Sequence, residues 1–183
     1  MELSSDHVAA GDSPAQYFMV VSAMLRRYNY RGRYLPHIQK DNRALFITFA
    51  THRRWRLPDA ARDLALEACL HTHSRKCTLQ AAVIMPDHVH LILTPLADEE
   101  GSFSIPQIMH AIKSESAHRI NQALGRKGKV WQDESFDHVL RGEESLASKV
   151  AYTMENPVRA GLARTAAEYR WLWRLTEPIL PTA

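Results

Sequence analysis

The stretch Ala81-Ala82-Val83-Ile84-Met85-Pro86-Asp87-His88-Val89-His90-Leu91-Ile92-Leu93 decides the fold. It is rich in aliphatic and β-branched residues and is interrupted once, at Met85-Pro86-Asp87. That pattern predicts a strand, a brief turn and a second strand. Side chains on a strand repeat their direction every two residues. His88 and His90 therefore share one face, and Val89 lies on the other. Two imidazoles side by side on a rigid sheet make half of a metal site. A bare His-x-His has a plainer reading as two polar residues on the wet face of a sheet, so the partners decide.

Outward from this hairpin, Ala44–Ala50 has strong β-propensity and predicts a strand. Asp59, after Pro58, opens a helix to about Ser74, with Ala61, Leu64, Ala65, Ala68 and Cys69 at helical spacing. The hairpin strands run over about 78–85 and 88–94. Ser104-Ile105-Pro106-Gln107 has the form of a capped helix start, and the helix continues to about Leu124. Ile105, Ile108, Met109, Ile112 and Ile120 line one side of it, with Lys113, His118 and Arg119 off that stripe. Phe136–Arg141 predicts a further strand. Gly142-Glu143-Glu144-Ser145 leads into a helix to about Asn156, ended by Pro157. The order strand, helix, strand, strand, helix, strand, helix predicts a ferredoxin-like α+β fold: an antiparallel sheet with helices on one face and the His-x-His on a central strand. Residues 166–183 carry Trp171 and Trp173 but little periodic signal and are expected to be a tail.

The chain has 183 residues, 45% of them hydrophobic, which suits one domain plus extensions. Lys+Arg number 23 against 20 Asp+Glu, a net charge of +3 that does not by itself diagnose nucleic-acid binding. Cys69 and Cys77 are the only cysteines. They form no disulfide framework, which fits a reducing cytoplasm. Tyr17–Leu25 is apolar but too short to span a bilayer, and its positive charges follow it, so it makes a poor signal peptide. It is expected to be part of a short helix over 15–27, behind a small, polar segment over 1–14 with a disordered composition. Arg26-Arg27-Tyr28-Asn29-Tyr30-Arg31-Gly32-Arg33-Tyr34 interleaves arginine with tyrosine. It suits phosphate contact and base stacking, or else a solvated linker.

Tyr152 and Asn156 stand four apart and share a helical face. A carboxamide oxygen is a credible ligand for Mg²⁺ or Mn²⁺, and a tyrosine one turn away could reach a group bound there. Each also has a structural reading, Tyr152 as a half-buried core residue and Asn156 as a helix cap. His71-Thr72-His73 is a second His-x-His, but on a helix its imidazoles point about 200° apart, so it is assigned no site. The loop with Arg126, Lys127 and Lys129 is expected to meet phosphates, with Lys113 and Arg119 extending the patch. Trp131 could stack on a base, but buried core is the preferred reading.

Three segments together carry a resemblance: Val83–Leu93 with its His-x-His, Trp131–Arg141, and Tyr152-Thr153-Met154-Glu155-Asn156-Pro157-Val158-Arg159-Ala160-Gly161-Leu162. In this order they resemble the single-tyrosine HUH transposases, particularly the REP-associated tyrosine transposases of bacteria. Arg31–His37 is similar to that branch's lead-in. The likeness covers roughly 31–163 and implies an extension over 1–30, a transposase domain over 31–165 and a tail over 166–183. Asp87 departs from the pattern, standing where many relatives have Asn.

The resemblance implies His88, His90 and Asn156 as ligands of Mg²⁺ or Mn²⁺, Tyr152 as nucleophile, and single-stranded or hairpin DNA as substrate. Arg31, Arg33, Lys113, Arg119, Arg126, Lys127 and Lys129 are then the expected DNA contacts. The implied activity is nicking and rejoining at REP-like hairpins through a 5′-phosphotyrosine, in a bacterial, nucleoid-associated protein without membrane attachment. A monomer acting in cis is favoured over a homodimer. The group that takes the Tyr152 proton is open, with metal-bound water first and His138 as an alternative. Two other functions compete: a domesticated hairpin-binding protein that no longer cuts, and a zinc hydrolase using His88 and His90.

Overall fold

The computed structural model describes residues 43–98, 101–140 and 143–176, all within the unit Pro36–Ala183. The expected N-terminal segments, with Arg31 and Arg33, lie outside the described residues.

Five strands form one sheet in the order β6-β1-β3-β2-β7, every pairing antiparallel. They are β1 (Leu45–Ala50), β2 (Cys77–Ile84), β3 (His88–Pro95), β6 (Phe136–Val139) and β7 (Leu172–Arg174). A small separate hairpin joins β4 (Ala97–Asp98) to β5 (Gly101–Ser102). The helices are α1 (Asp59–Thr72), α2 (Ile105–Ala123), α3 (Glu143–Met154) and the single turn α4 (Asn156–Arg159). The antiparallel α+β arrangement expected from the element order is thus the one formed, with the His-x-His on the middle strand.

The strands sort their side chains by the period of two. Leu45, Ile47 and Phe49 of β1 lie opposite Leu93, Leu91 and Val89 of β3. This row joins Ala61, Ala65 and Cys69 of α1 and Ile108, Ile112 and Ile120 of α2 in the main core. The expected start of α2 is realised as a reciprocal cap: the Gln107 amide donates to Ser104 Oγ (3.3 Å), and the Ser104 amide donates to Gln107 Oε1 (2.7 Å).

Helices were expected on one face only, and here the structure differs. α1 and α2 cover one face, while Leu146 and Val150 of α3 pack on Phe46, Ala81 and Ile92 of the other. Element order does not encode which face a helix takes. The reason lies in the sheet, whose second face is also apolar at these positions. This arrangement puts the helix bearing Tyr152 on the face of the histidines.

The described part of the expected tail, residues 166–176, pairs with and packs on the domain. β7 pairs with β2, with Trp173 opposite Ala82. The Tyr169 hydroxyl donates to the Ile84 carbonyl (2.8 Å), and Trp171 Nε1 donates to Asp63 Oδ1 (2.9 Å). A three-residue strand is too short to show a period, so only its partners reveal it.

Trp131 is core: it is 5% exposed, meets Phe49 edge-on at 5.1 Å and donates from Nε1 to Ser116 Oγ (2.9 Å). Trp131→Ala is expected to destabilise the domain by about 3–5 kcal/mol, through lost contacts and a cavity. Urea unfolding checks this; a loss of under about 1 kcal/mol would place Trp131 outside the core.

Candidate active site

The β1–β3 register sets His90 opposite Thr48 and His88 opposite Ala50. The two Nε2 atoms face each other at 3.1 Å. Each ring is held from behind, His88 Nδ1 by Asp87 Oδ1 at 2.7 Å and His90 Nδ1 by Thr48 Oγ1 at 2.9 Å. An ionised carboxylate can only accept, so His88 Nδ1 carries a proton and its Nε2 is the nitrogen turned to His90. Phe46 stacks on His90 with ring centres 5.6 Å apart.

The electrostatics agree. Burial holds the His90 pKa well below the ordinary value, helped by the His88, Lys149 and Arg159 charges. His90 is therefore neutral and able to offer a lone pair. Burial works against the Asp87 charge, but the bond to His88, with His88, Arg54 and Arg56 nearby, outweighs it and lowers the pKa.

On the same face α3 ends at Met154, and Pro157 explains how. Proline has no N–H, so the Thr153 carbonyl loses its helical partner. The Asn156 carboxamide supplies one, Nδ2 donating to Thr153 O at 3.0 Å. That bond leaves Oδ1 as the outward atom, and Arg159 Nη2 donates to it (3.2 Å) and to the Tyr152 carbonyl (2.6 Å). The Arg159 guanidinium also lies 3.9 Å from the centre of the Tyr152 ring. Lys149 Nζ sits 4.1 Å over Phe46 and 5.2 Å from the centre of the Tyr152 ring. Tyr152, Asn156 and the histidines thus belong to one side of the sheet.

This donor set fits a divalent ion. Two nitrogens about 2.1 Å from one ion and cis on it lie about 3 Å apart, close to the spacing of the histidine pair. Carboxylate and hydroxyl backing of ligating histidines is the usual outer shell of a metal site. Among the described residues no group of three His, Cys, Asp or Glu could hold a metal. A third protein ligand from the described residues would be of another side-chain type, and the Asn156 oxygen retains a second lone pair. Among the described residues, a zinc hydrolase would find no third His, Cys or carboxylate ligand grouped with the pair.

The remaining candidates separate. Lys113 Nζ donates to the carbonyls of Gln132 (3.0 Å), Asp133 (3.2 Å) and Glu134 (3.1 Å) and to Ser135 Oγ (2.7 Å). Arg119 pairs with Glu67 and Glu115 in the helical layer. Lys113 is thus half-buried beside Asp133, the partner of Lys129, while the Arg119 ion pairs lie at the surface. Arg126 lies 3.8 Å from the centre of the Trp55 ring, Lys129 pairs with Asp133 at 2.6 Å, and Lys127 is exposed. His71 bonds Glu115 at 2.7 Å, while His73 accepts from the Leu79 amide at 3.1 Å. They share no site, but the helix ends at Thr72 and His73 follows it with extended backbone, so it is their separate partners and not a helical spacing that part them. His138 lies opposite Phe46 on β6, exposed, on the histidine face.

Sequence reasoning passed over His52-Arg53-Arg54-Trp55-Arg56. This turn leaves β1 beside His88 and runs next to the basic loop: the His52 amide donates to the Val130 carbonyl at 2.7 Å. Arg53 and Arg54 have φ of 54° and 56°, left-handed values that non-glycine residues rarely adopt. Four cationic or titratable residues around a tryptophan were the available signal.

Residues 41–155 match the family model described as "Transposase IS200 like", and the chain belongs to that family. Within it, the resemblance runs to the REP-associated branch. A protein of Haemophilus influenzae named as a candidate REP-associated tyrosine transposase is 25% identical over 96 residues, which are 49% of this chain and 54% of that protein. The chain thus spans about half the length of that curated relative. The solved structure of a REP-associated tyrosine transposase bound to a REP hairpin superposes with a TM-score of 0.60 at 21% identity, covering 77% of this chain and 81% of that one. A bacterial tRNA(His) guanylyltransferase-like protein in complex with GTP gives a TM-score of 0.50 at 10% identity over 83% and 77% of the chains. At these identities the likeness is one of fold, and function must be argued from the site.

Lys113→Ala is expected to lower stability by about 1–3 kcal/mol, because it strips a donor from several acceptors at once. Thermal or urea unfolding checks it; unchanged stability would return Lys113 to the pool of surface cations.

Proposed function

We propose that this chain is a metal-dependent DNA strand transferase that nicks and rejoins single-stranded DNA beside REP-like hairpins. One observation carries the reading: Lys149 bridges the Tyr152 ring and the Phe46 ring that stacks on His90. The Tyr152 ring and the backed histidine pair therefore lie on the same side of the sheet, which is what supports reading them as parts of one site.

The Tyr152 hydroxyl attacks the phosphorus of a phosphodiester. Its oxygen gives up its proton as it forms the new bond to phosphorus, the bond to the 3′ oxygen breaks, and that oxygen takes up one proton in return, leaving as a hydroxyl so that the step balances. The products are a 5′-phosphotyrosine and a free 3′ end. The covalent link conserves the phosphodiester, so a later 3′-hydroxyl can reverse the step and join strands. His88, His90 and the Asn156 oxygen would hold Mg²⁺ or Mn²⁺, which when bound neutralises charge on the phosphate and polarises it. Arg159 orients Asn156 and covers the Tyr152 ring. The helix bearing Tyr152 packs on the sheet of its own chain, and cleavage in cis by a monomer is the arrangement favoured in this reading. Arg126, Lys127 and Lys129, with Arg53 and Arg56 of the neighbouring turn, offer contacts for the incoming strand.

The test is a denaturing gel of purified protein with hairpin-bearing single strands, with Mn²⁺ or Mg²⁺ and with chelator. A covalent adduct is expected that requires metal and disappears in Tyr152→Phe. Binding without any adduct or nick would overturn the transferase reading in favour of a hairpin-binding protein. Separately, Lys127→Ala and Arg126→Ala should each weaken binding across sequences and flatten the salt dependence by about one unit of slope. Binding curves between low and high salt check this, and an unchanged slope removes that residue from the strand path.

A further inference from the structure

We infer that Asp87 and Arg54 form a positioning device for His88, selecting its tautomer and aiming its Nε2 at the space shared with His90. The inference rests on the metal reading above and adds two residues to it.

The chain of contacts is continuous. Arg54 Nη1 donates to Asp87 Oδ2 at 3.4 Å, Asp87 Oδ1 accepts from His88 Nδ1 at 2.7 Å, and His88 Nε2 faces His90 Nε2 at 3.1 Å. The backbone is arranged to hold the middle link. The Thr51 amide and hydroxyl both donate to the Asp87 carbonyl, at 2.9 and 3.1 Å, and the Leu57 amide donates to the Pro86 carbonyl at 2.6 Å. The turn over residues 51–57 therefore clamps the Met85-Pro86-Asp87 turn from outside. Its two successive left-handed residues, Arg53 and Arg54, are the strained point of that clamp. Strain at non-glycine positions persists where surrounding contacts over-determine it. Here the Arg54–Asp87 contact is what the conformation delivers.

The histidines are held unequally. Thr48, a neutral hydroxyl, can donate or accept and leaves the His90 tautomer open. Asp87, a carboxylate, admits only the form of His88 with the proton on Nδ1. A carboxylate also makes the imidazole a more basic ligand than a carboxamide would.

The experiment reads the tautomer directly, in metal-free protein without DNA, from long-range ¹H–¹⁵N correlations of ¹⁵N-histidine-labelled chain. Wild type should show His88 protonated on Nδ1. Asp87→Ala should shift His88 toward the Nε2-protonated form and weaken Mn²⁺ binding, measured by calorimetry, by about 10–100-fold. Asp87→Asn, whose carboxamide oxygen can accept the same bond, should restore the tautomer. Arg54→Gln, a change at the surface, should lower Mn²⁺ affinity with the fold intact, and keeps the test open if Asp87→Ala does not fold. A His88 tautomer unchanged in Asp87→Ala, or Mn²⁺ affinity unchanged in both Asp87→Ala and Arg54→Gln, overturns the inference. A wild type that binds no Mn²⁺ overturns the metal reading beneath it, whatever the tautomer.

Discussion

The register of β1 against β3 is the constraint on which the site depends. Three buried pairs, Leu45 with Leu93, Ile47 with Leu91 and Phe49 with Val89, face the main core together. A slip of β1 by one residue would turn its three side chains toward the wrong face, so apolar burial locks the pairing. The residues between them inherit that precision. Thr48 is carried to His90, and Ala50 leaves room beside His88. The histidines are thus placed by hydrophobic residues that never touch them. The cost of burying His90 is met by its bond to Thr48 and by the neutrality that burial itself enforces.

The opposite wall of the site is set by a local rule of backbone chemistry. Pro157 interrupts the helix one residue after Asn156, and the Asn156 amide nitrogen fills the vacancy at the Thr153 carbonyl. That bond fixes which end of the carboxamide faces outward. The structural reading of Asn156 as a cap and its reading as a ligand are therefore not rivals. The cap uses the nitrogen, and the oxygen remains for Arg159 and for a cation. Tyr152 can also fill both of its readings, half-buried under Arg159 and Lys149 yet on the face of the histidines.

Much of this was legible in the residues. The hairpin over Cys77–Pro95, the shared face of His88 and His90, the cap at Ser104 and the burial of Trp131 all follow from period, capping chemistry and size. What was not legible depended on tertiary partners. The three residues of β7 carry no period, and only β2 beside them makes them a strand. The face taken by α3 is decided by the apolar back of the sheet, Phe46 and Ile92, which strand alternation alone would have assigned to solvent. The clamp over residues 51–57 was hidden because arginine is a poor predictor of left-handed backbone, and its effect is felt some thirty residues away at Asp87.

The cations show the same point from the other side. Residue type predicts charge, but the partner decides what the charge does. Burial presses the Lys113 pKa down to about 8 against the pull of Asp133 and Glu134; surrounded by carbonyls, it serves as a staple for the loop after Trp131. Arg119 ties two helices together, and Arg54 holds a carboxylate behind a histidine. Each of these charges has a partner within the fold. The exposed Arg53, Arg56 and Lys127 belong instead to two turns that meet where the His52 amide bonds the Val130 carbonyl, at the end of the sheet occupied by His88. The fold thus spends part of its positive charge on geometry and gathers another part beside the histidine pair. That division, more than the net charge of +3, is the electrostatic signature of the chain.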